Sequence, residues 1–346
     1  MSWTTILLNW YAEHKRVFPW RNTRDPYKIW LSEIILQQTR IQQGLPYYKK
    51  FIKVFPSVHH LAAATEVDVL KLWQGLGYYS RARNLWATAK TVSHDYSGEF
   101  PTDFSSLLRL KGVGDYTASA IASICYDEPQ AVVDGNVYRV LSRHFGIYEP
   151  INTAPAFSLF KQKAQQLLDI NQPGNFNQAL MEFGALQCVP KNPNCEICIF
   201  QNSCHALKHG KVNDLPLKIP RTKTRKRYFN YLVLVDPYHC FLLQKREMKG
   251  IWQHLYEFPL WESSKNLNDL PIKAQKILAL EATTPWQLWK DTPVIHKLSH
   301  QELHITFWTA TVLNPLKRGV SPYQMEAYPV PIVIQNFIHE FFGLST

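Results

Sequence analysis

The sequence predicts a multidomain chain, with an all-α domain over residues 1–205, a basic linker over 206–227 and a smaller α+β domain over 228–346. Three observations carry this reading. Segments with helical periodicity follow one another up to residue 205, joined by short connections rich in Gly, Pro, Asp and Asn. From residue 228 the texture changes to strand-like runs. Between the two lies KHGKVNDLPLKIPRTKTRKR, residues 208–227, with a net charge of +7, against +4 for residues 1–207 and zero for 228–346. A length of 346 residues fits two domains, and 46% hydrophobic with 19% charged residues excludes disorder as the main state.

The elements follow in order. Ile6, Leu7, Trp10 and Tyr11 mark one face of an N-terminal amphipathic helix. Further helices are expected at 26–43, 65–72, 81–94, 105–110, 117–125, 137–145, 157–168 and 177–186. In the second domain, strands at 228–235 and 241–245 flank Asp236-Pro237-Tyr238-His239 as a hairpin, with further strands at 255–260 and 305–312 and a closing helix at 331–342. No apolar run approaches the ~18 residues of a membrane span. The N-terminus lacks the basic start and apolar block of a secretory signal, so the expectation is a soluble intracellular protein. An overall charge of +11 favours a polyanionic partner, with a merely solvated basic linker as the alternative.

Six cysteines are present. Cys125 and Cys240 stand alone in apolar neighbourhoods and read as buried thiols. Cys188, Cys195, Cys198 and Cys204 are spaced C-x6-C-x2-C-x5-C, which points to ligation of zinc or of a 4Fe–4S cluster. The uneven intervals suit a bulky cluster better, and zinc stays open on spacing alone.

Two carboxylates and a glycine turn carry the chemistry. In LKGVGDYTASAI, Gly112 and Gly114 precede a helix start and form a candidate cradle for a phosphate, or else a plain helix–helix turn. In VVDGNVYRVLSR, Asp134 stands as the N-cap of a helix, where amide N–H groups and the helix dipole favour the ionised form. Glu33 lies among Ile29, Trp30, Ile34 and Ile35, where desolvation favours the protonated form. Alone, each would be an ordinary cap or a rim glutamate. Together they fit the rule that opposed environments assign an acid and a stabiliser.

At these residues the chain resembles the helix-hairpin-helix DNA glycosylase superfamily, and more closely the MutY family of adenine DNA glycosylases. WLSEIILQQT, GLGYYSRARNL at 75–85, LKGVGDYT, VVDGNV, NQALMEFGALQC and the cysteine loop match that family in order and spacing from about residue 10 to 205. The resemblance implies a helix-hairpin-helix glycosylase domain whose 188–204 loop holds a 4Fe–4S cluster on its four cysteines. It implies Glu33 and Asp134 as catalytic carboxyls, with Tyr116 and Asn136 positioning the sugar and the nucleophile. Trp20, Arg21 and Glu182 would line an adenine pocket, while Gln38 and Tyr78 would enter the base stack. In the bifunctional relative endonuclease III the position of Tyr116 is a Lys that forms a Schiff base. A phenol forms no imine, so strand cleavage is not expected here.

The C-terminal part is similar to the family's Nudix-like domain through GIWQHLYEFP at 250–259 and HKLSHQELHI at 296–305. No REx2EE helix occurs from 250 to 285, so this domain is expected to bind without hydrolysing. The family's Phe-Ser-His motif for 8-oxoguanine reads Leu298-Ser299-His300 here, which loses the aromatic contact and keeps the hydrogen-bonding pair. His254 stands where relatives often have Gly. The implied enzyme is a monomeric base excision repair glycosylase, cytoplasmic and nucleoid-associated in a bacterial-type cell. It would act on duplex DNA with adenine opposite 8-oxoguanine or guanine and have no membrane partner. The rival readings are a related glycosylase for another lesion and a non-catalytic DNA-binding protein.

Overall fold

Polar caps start several helices of the N-terminal part: Ser2, Asp25, Thr65, Asp103 and Asp134 each accept a backbone N–H of the first turn. The structure is a computed structural model that describes residues 1–220, 224–278 and 285–344. Contacts divide it into two units, 1–63 with 84–221, and 64–83 with 222–346. The segment 64–83, expected within the first domain, therefore groups with the second. Hydrogen bonds explain why: Gln74 Nε2 donates to Gln335 Oε1 at 2.7 Å, and Arg83 Nη1 donates to the Gln253 carbonyl at 2.8 Å.

The helices are α1 (Trp3–His14), α2 (Pro26–Leu36), α3 (Ile41–Val54), α4 (Val58–Ala63), α5 (Glu66–Leu72) and α6 (Ser80–Asp95). They continue with α7 (Phe104–Leu108), α8 (Asp115–Tyr126), α9 (Gly135–Phe145), α10 (Ala154–Leu167), α11 (Pro173–Leu186) and α12 (His205–Lys208). The single helix expected at 26–43 is two, because Gln38 takes φ +55° and a left-handed residue cannot continue a helix. In the first unit α11 packs on α1, α8 and α9, and α2 packs on α8. Leu7, Val140, Phe160, Phe176 and Phe183 fill the core there. The expected linker is partly docked: the Leu217 carbonyl accepts from Ile151 N at 3.0 Å, and Arg143 Nε donates to the Leu215 carbonyl at 3.0 Å. Residues 221–223 of that linker lie outside the described residues, as do 279–284 and 345–346 of the C-terminal domain.

In the second unit β1 (Arg225–Val235), β2 (Phe241–Leu242), β5 (Leu260–Ser263), β6 (Gln287–Leu288), β7 (Val294–Lys297), β8 (Gln301–Thr311) and β9 (Gly319–Val320) form one mixed sheet. β1 and β8 run parallel, in register from Arg225↔Gln301 to Val235↔Thr311. β1 is buried throughout from Phe229 to Val235, the pattern of a central strand covered on both faces. The expected strand at 241–245 is split between β2 and β3 (Gln244–Lys245), and that at 255–260 between β4 (Tyr256–Glu257) and β5. Pro259 lies at the second break, where it offers no donor to a ladder. The short α13 (Ile272–Gln275) precedes the closing α14 (Ile332–Phe342), whose Phe337 stacks on Phe307 at 4.1 Å. Cys125 and Cys240 are partly accessible rather than buried as expected. Among the described residues no helix is long and apolar enough to cross a membrane.

The contact of α11 with α8 depends on Gly174, where an added Cβ would lie 2.7 Å from the Ser123 carbonyl oxygen and 2.9 Å from Ile124 Cα. Both neighbours are backbone and cannot swing aside. Gly174→Ala gains helix propensity of about 1 kcal/mol but meets overpacking of about 1–3 kcal/mol. Urea unfolding should therefore give a less stable protein.

Candidate active site

Glu33 projects from α2, whose start is fixed by the Asp25 cap and Pro26 and whose other faces bury Trp30, Leu31, Ile34 and Ile35. Asp134 caps α9: its Oδ1 accepts from Asn136 N at 2.9 Å and Val137 N at 2.8 Å, and its Oδ2 from Asn136 Nδ2 at 2.8 Å. Both carboxyls line one pocket of ≈ 200 Å³ with Trp20, Arg21, Tyr116, Asn136 and Glu182. Seven of the residues expected at the site thus meet in one cleft of the first unit. The Tyr116 phenol is a hydrogen-bond partner of Glu33 and also lies 3.2 Å from Met181 Sδ.

The three acids hold their protons differently. Burial pushes Glu33 up to about 7; the Tyr116 hydrogen bond works against this and the nearby Asp134 charge adds to it. Glu182 is 1% exposed, and burial works to raise it too. Arg16 and Arg21 overcome that, each with two side-chain nitrogens on the Glu182 carboxylate at 2.7–2.9 Å, and hold it at about 2. Asp134 departs from the expectation of a group simply favoured as an anion. Burial raises its pKa above the ordinary value, against the pull of its three donated hydrogen bonds and of Arg139. Both catalytic candidates are therefore raised, and they differ in their donors: backbone and amide N–H groups for Asp134, a phenol for Glu33. Burial, together with the Glu33 and Asp134 charges, lifts the Tyr116 phenol well above its usual range, so it stays neutral.

Three residues that sequence reasoning missed complete the arrangement. Arg16, in the HKRVFPWR stretch, is the second clamp on Glu182. Met181 sits over the Tyr116 hydroxyl. Arg139 donates to the Cys188 carbonyl at 2.7 Å, to the Gly184 carbonyl at 2.5 Å and to Asn136 Oδ1 at 2.8 Å, tying α9 to the end of α11. Gly184 lies so close to Asn136 that a Cβ would meet the Asn136 Cβ at 2.6 Å.

In the hairpin, Gly112 has φ +78° and an added Cβ would sit 2.7 Å from the Asn84 Cβ. Gly114 has an extended backbone (φ −94°, ψ 179°), so only Gly112 needs glycine for its conformation. Both are exposed, and the missing side chain at Gly114 leaves the start of α8 uncovered. Gln38 is exposed at the α2–α3 break. Tyr78 belongs to the second unit, 45% exposed with φ +49°, and its hydroxyl hydrogen-bonds Ser299 Oγ. Leu298, Ser299 and His300 form the turn between β7 and β8, closed by Leu298 N donating to the Gln301 carbonyl at 2.8 Å. With Tyr78 and Trp252 they line a second pocket of ≈ 530 Å³.

Cys188, Cys195, Cys198 and Cys204 are free thiols that lie within electrostatic range of one another. Arg143, 2% exposed, donates to Cys188 Sγ at 3.5 Å and to the Val189 and Pro190 carbonyls at 2.8 and 3.0 Å. Four converging sulfurs with a guanidinium beside one of them fit an anionic thiolate-bound group. Among the described residues no three His, Cys, Asp or Glu side chains form a site for one metal ion.

Both parts of the chain are similar to known proteins. Residues 31–168 match the family model of the HhH-GPD superfamily base excision DNA repair protein, and residues 230–340 match a NUDIX domain. A protein of Buchnera aphidicola subsp. Schizaphis graminum named adenine DNA glycosylase is 34% identical over 309 residues, covering 87% of this chain and 85% of that one. A solved thermostable thymine-DNA glycosylase is 30% identical, with a TM-score of 0.56 over 60% of this chain and 95% of its own. A solved endonuclease III–DNA complex shares the fold at 19% identity, with a TM-score of 0.52 over 60% of this chain and 94% of its own.

The Glu33 carboxyl has a stability signature. Between pH 4.5 and about 7 the folded chain keeps a proton that the unfolded chain has shed, so its contribution to stability falls as pH rises through that window. Glu33→Gln removes the ionisation. In chemical denaturation the variant should be more stable than the parent at pH 8, by on the order of 3 kcal/mol, and the difference should close toward pH 4.

Proposed function

The chain belongs to the adenine DNA glycosylase family of base excision repair enzymes, and from that premise we propose that it removes adenine mispaired with 8-oxoguanine or guanine in duplex DNA, without cleaving the strand. The observation that carries this is the pairing, in one ≈ 200 Å³ pocket, of a carboxyl with a pKa of about 7 and a capped aspartate. A carboxyl with that pKa keeps a usable proton at neutral pH.

The mispair is opened by flipping, which costs a few kcal/mol and least at a mismatched base. Gln38 and Tyr78 are the residues proposed to hold the stack open, and both occupy left-handed backbone conformations of the kind kept at functional sites. The exposed Gly112–Gly114 turn offers amide N–H groups to a backbone phosphate. In the pocket Trp20 lines the space proposed for the purine, and Glu182 with Arg16 and Arg21 supplies a fixed array of charge. Glu33 donates its proton to adenine N7 and makes the base a neutral leaving group. Asp134, in its ionised form and with Asn136 and Val137 donating to it, faces the sugar and stabilises the positive charge that grows as the N-glycosidic bond breaks. Asn136, fixed by Arg139, and Tyr116 orient the sugar and the water that attacks it. Monofunctional action rests on the nucleophiles at hand: Tyr116 is a neutral phenol, and no lysine is among the described residues lining the pocket.

A 4Fe–4S cluster would be held by Cys188, Cys195, Cys198 and Cys204, with Arg143 beside Cys188. When bound it supplies a covalent crosslink of the 188–204 loop to the end of α11 and takes no part in glycosidic cleavage. Purified protein should contain four irons per chain; a colourless protein with one zinc would reject this assignment. Leu298, Ser299 and His300 are proposed to read the base opposite adenine. The enzyme would work as a monomer wherever chromosomal DNA is found, the cytoplasm of a bacterial-type cell.

Alkali treatment of an adenine:8-oxoguanine duplex after incubation, with gel analysis, tests the reaction. Strand breaks should appear only after alkali, at the adenine. The single-turnover rate should fall about tenfold per pH unit well above pH 7 as Glu33 ionises. Glu33→Gln should lower it by at least about 10³-fold while mispair binding persists. His300→Ala should reduce the preference for 8-oxoguanine over guanine about tenfold; an unchanged ratio moves recognition elsewhere.

A further inference from the structure

His254 is a residue the proposed reaction does not use. It has φ +67°, a conformation that glycine adopts freely and a branched ring does not, and Trp252 two residues before it has φ +58°. A non-glycine residue there carries strain that its side-chain contacts offset. The His254 Nδ1 lies 2.7 Å from Glu66 Oε1 at the start of α5, and its own backbone N donates to the Arg246 carbonyl at 2.7 Å. The neighbouring Gln253 takes the other end of the same segment: Arg83 donates to its carbonyl at 2.8 Å and to its Oε1 at 3.3 Å. Two consecutive residues thus hold Glu66 and Arg83, the ends of an 18-residue segment.

The charges around the pair are mixed. Glu247 Oε2 lies 3.8 Å from His254 Nε2, Lys245 Nζ lies 3.5 Å from Glu66 Oε2, and the Arg83 guanidinium also feels the Glu66 charge. Between its held ends the segment carries Gly75 and Gly77, at φ +92° and +77°, and Tyr78, and it forms one wall of the ≈ 530 Å³ pocket. Gly250, Ile251 and Trp252, on the chain leading into His254, form another wall. Gln253 and His254 grip the segment at its ends, and between them Lys71 bonds the Tyr328 carbonyl, Gln74 bonds Gln335 and Tyr78 bonds Ser299.

We propose that His254 is a positioning residue: with Gln253 it staples the 66–83 segment at both ends and so holds Tyr78 in register with Ser299 and His300. The staple acts on recognition of the opposite base and not on bond cleavage. Its substrate rests on the adenine glycosylase reading; the staple itself does not.

Two measurements on the full chain test this. His254→Gly keeps the backbone conformation and deletes the imidazole, and Glu66→Ala deletes its partner. Amide hydrogen exchange over residues 73–80 should accelerate about fivefold or more in each variant, with Glu66→Gln, which retains an acceptor, closer to the parent. On an adenine:8-oxoguanine duplex each variant should raise KM about three- to tenfold and leave the saturating single-turnover rate within about twofold. The double variant should be no worse than the poorer single one. Unchanged exchange, unchanged KM, a loss confined to the saturating rate or multiplicative effects in the double variant would each overturn the staple. If the parent excises adenine from no duplex, the proposed reaction fails, and hydrogen exchange alone decides whether His254 holds the segment.

Discussion

One constraint organises the active-site pocket: a carboxyl taken out of water must either find donors or keep its proton. Three acids share the cavity, and each solves the problem differently. Glu182 is neutralised by the guanidinium groups of Arg16 and Arg21 and is held at about 2. Asp134 has three N–H donors at 2.8–2.9 Å. Glu33 has the Tyr116 phenol, a weaker donor, and the Asp134 charge nearby, and its pKa rises to about 7. Burial raises Glu33 and Asp134, and only the paired guanidinium groups at Glu182 overcome it. A salt bridge at Glu33 would remove the acid, and a bare Asp134 would compete for the same proton.

Such discrimination needs fixed donors, and the scaffold supplies them at helix ends. Asp134 is both cap and candidate stabiliser, so its geometry cannot drift without fraying α9. Arg139 fastens Asn136 to the carbonyls of Gly184 and Cys188, which carries the order of the cysteine loop into the pocket floor. The close approach of α11 at Gly184 leaves no slack for Asn136 to move. Arg143, beside Cys188 and bonded to the Leu215 carbonyl, extends the same fastening to the chain beyond the loop.

What could be read from the sequence is what neighbouring residues decide. The desolvation of Glu33 follows from its helical neighbours Ile29, Trp30, Ile34 and Ile35, and the Asp134 cap from the DGN pattern, because both environments are built within one helical turn. The neutralisation of Glu182 was invisible because its partners lie 166 and 161 residues away. The break at Gln38 carries no glycine or proline to announce it. The split strands at 241–245 and 255–260 depend on which strand each half pairs with, and only Pro259 hinted at one of them. The affiliation of 64–83 was hidden for the same reason, since Gln74 meets Gln335 at a separation of 261 residues.

The left-handed residues divide by purpose. Gly112 sits where a side chain would strike Asn84, and glycine is the economical answer. Gln38, Tyr78, Trp252 and His254 occupy the same region of backbone space with large side chains, at a cost of order 1–3 kcal/mol each. A fold under no functional demand would replace them with glycine or asparagine and gain stability. Three of the four lie in the second unit, where Tyr78 and Trp252 line one pocket and His254 grips the segment that carries Tyr78. Of the two candidate carboxyls, Glu33 lies inside α2 and Asp134 caps α9 with an extended backbone, neither of them left-handed. The strain at Tyr78 and Trp252 lies in loops that line the ≈ 530 Å³ pocket, and that at His254 in the loop that grips the segment carrying Tyr78.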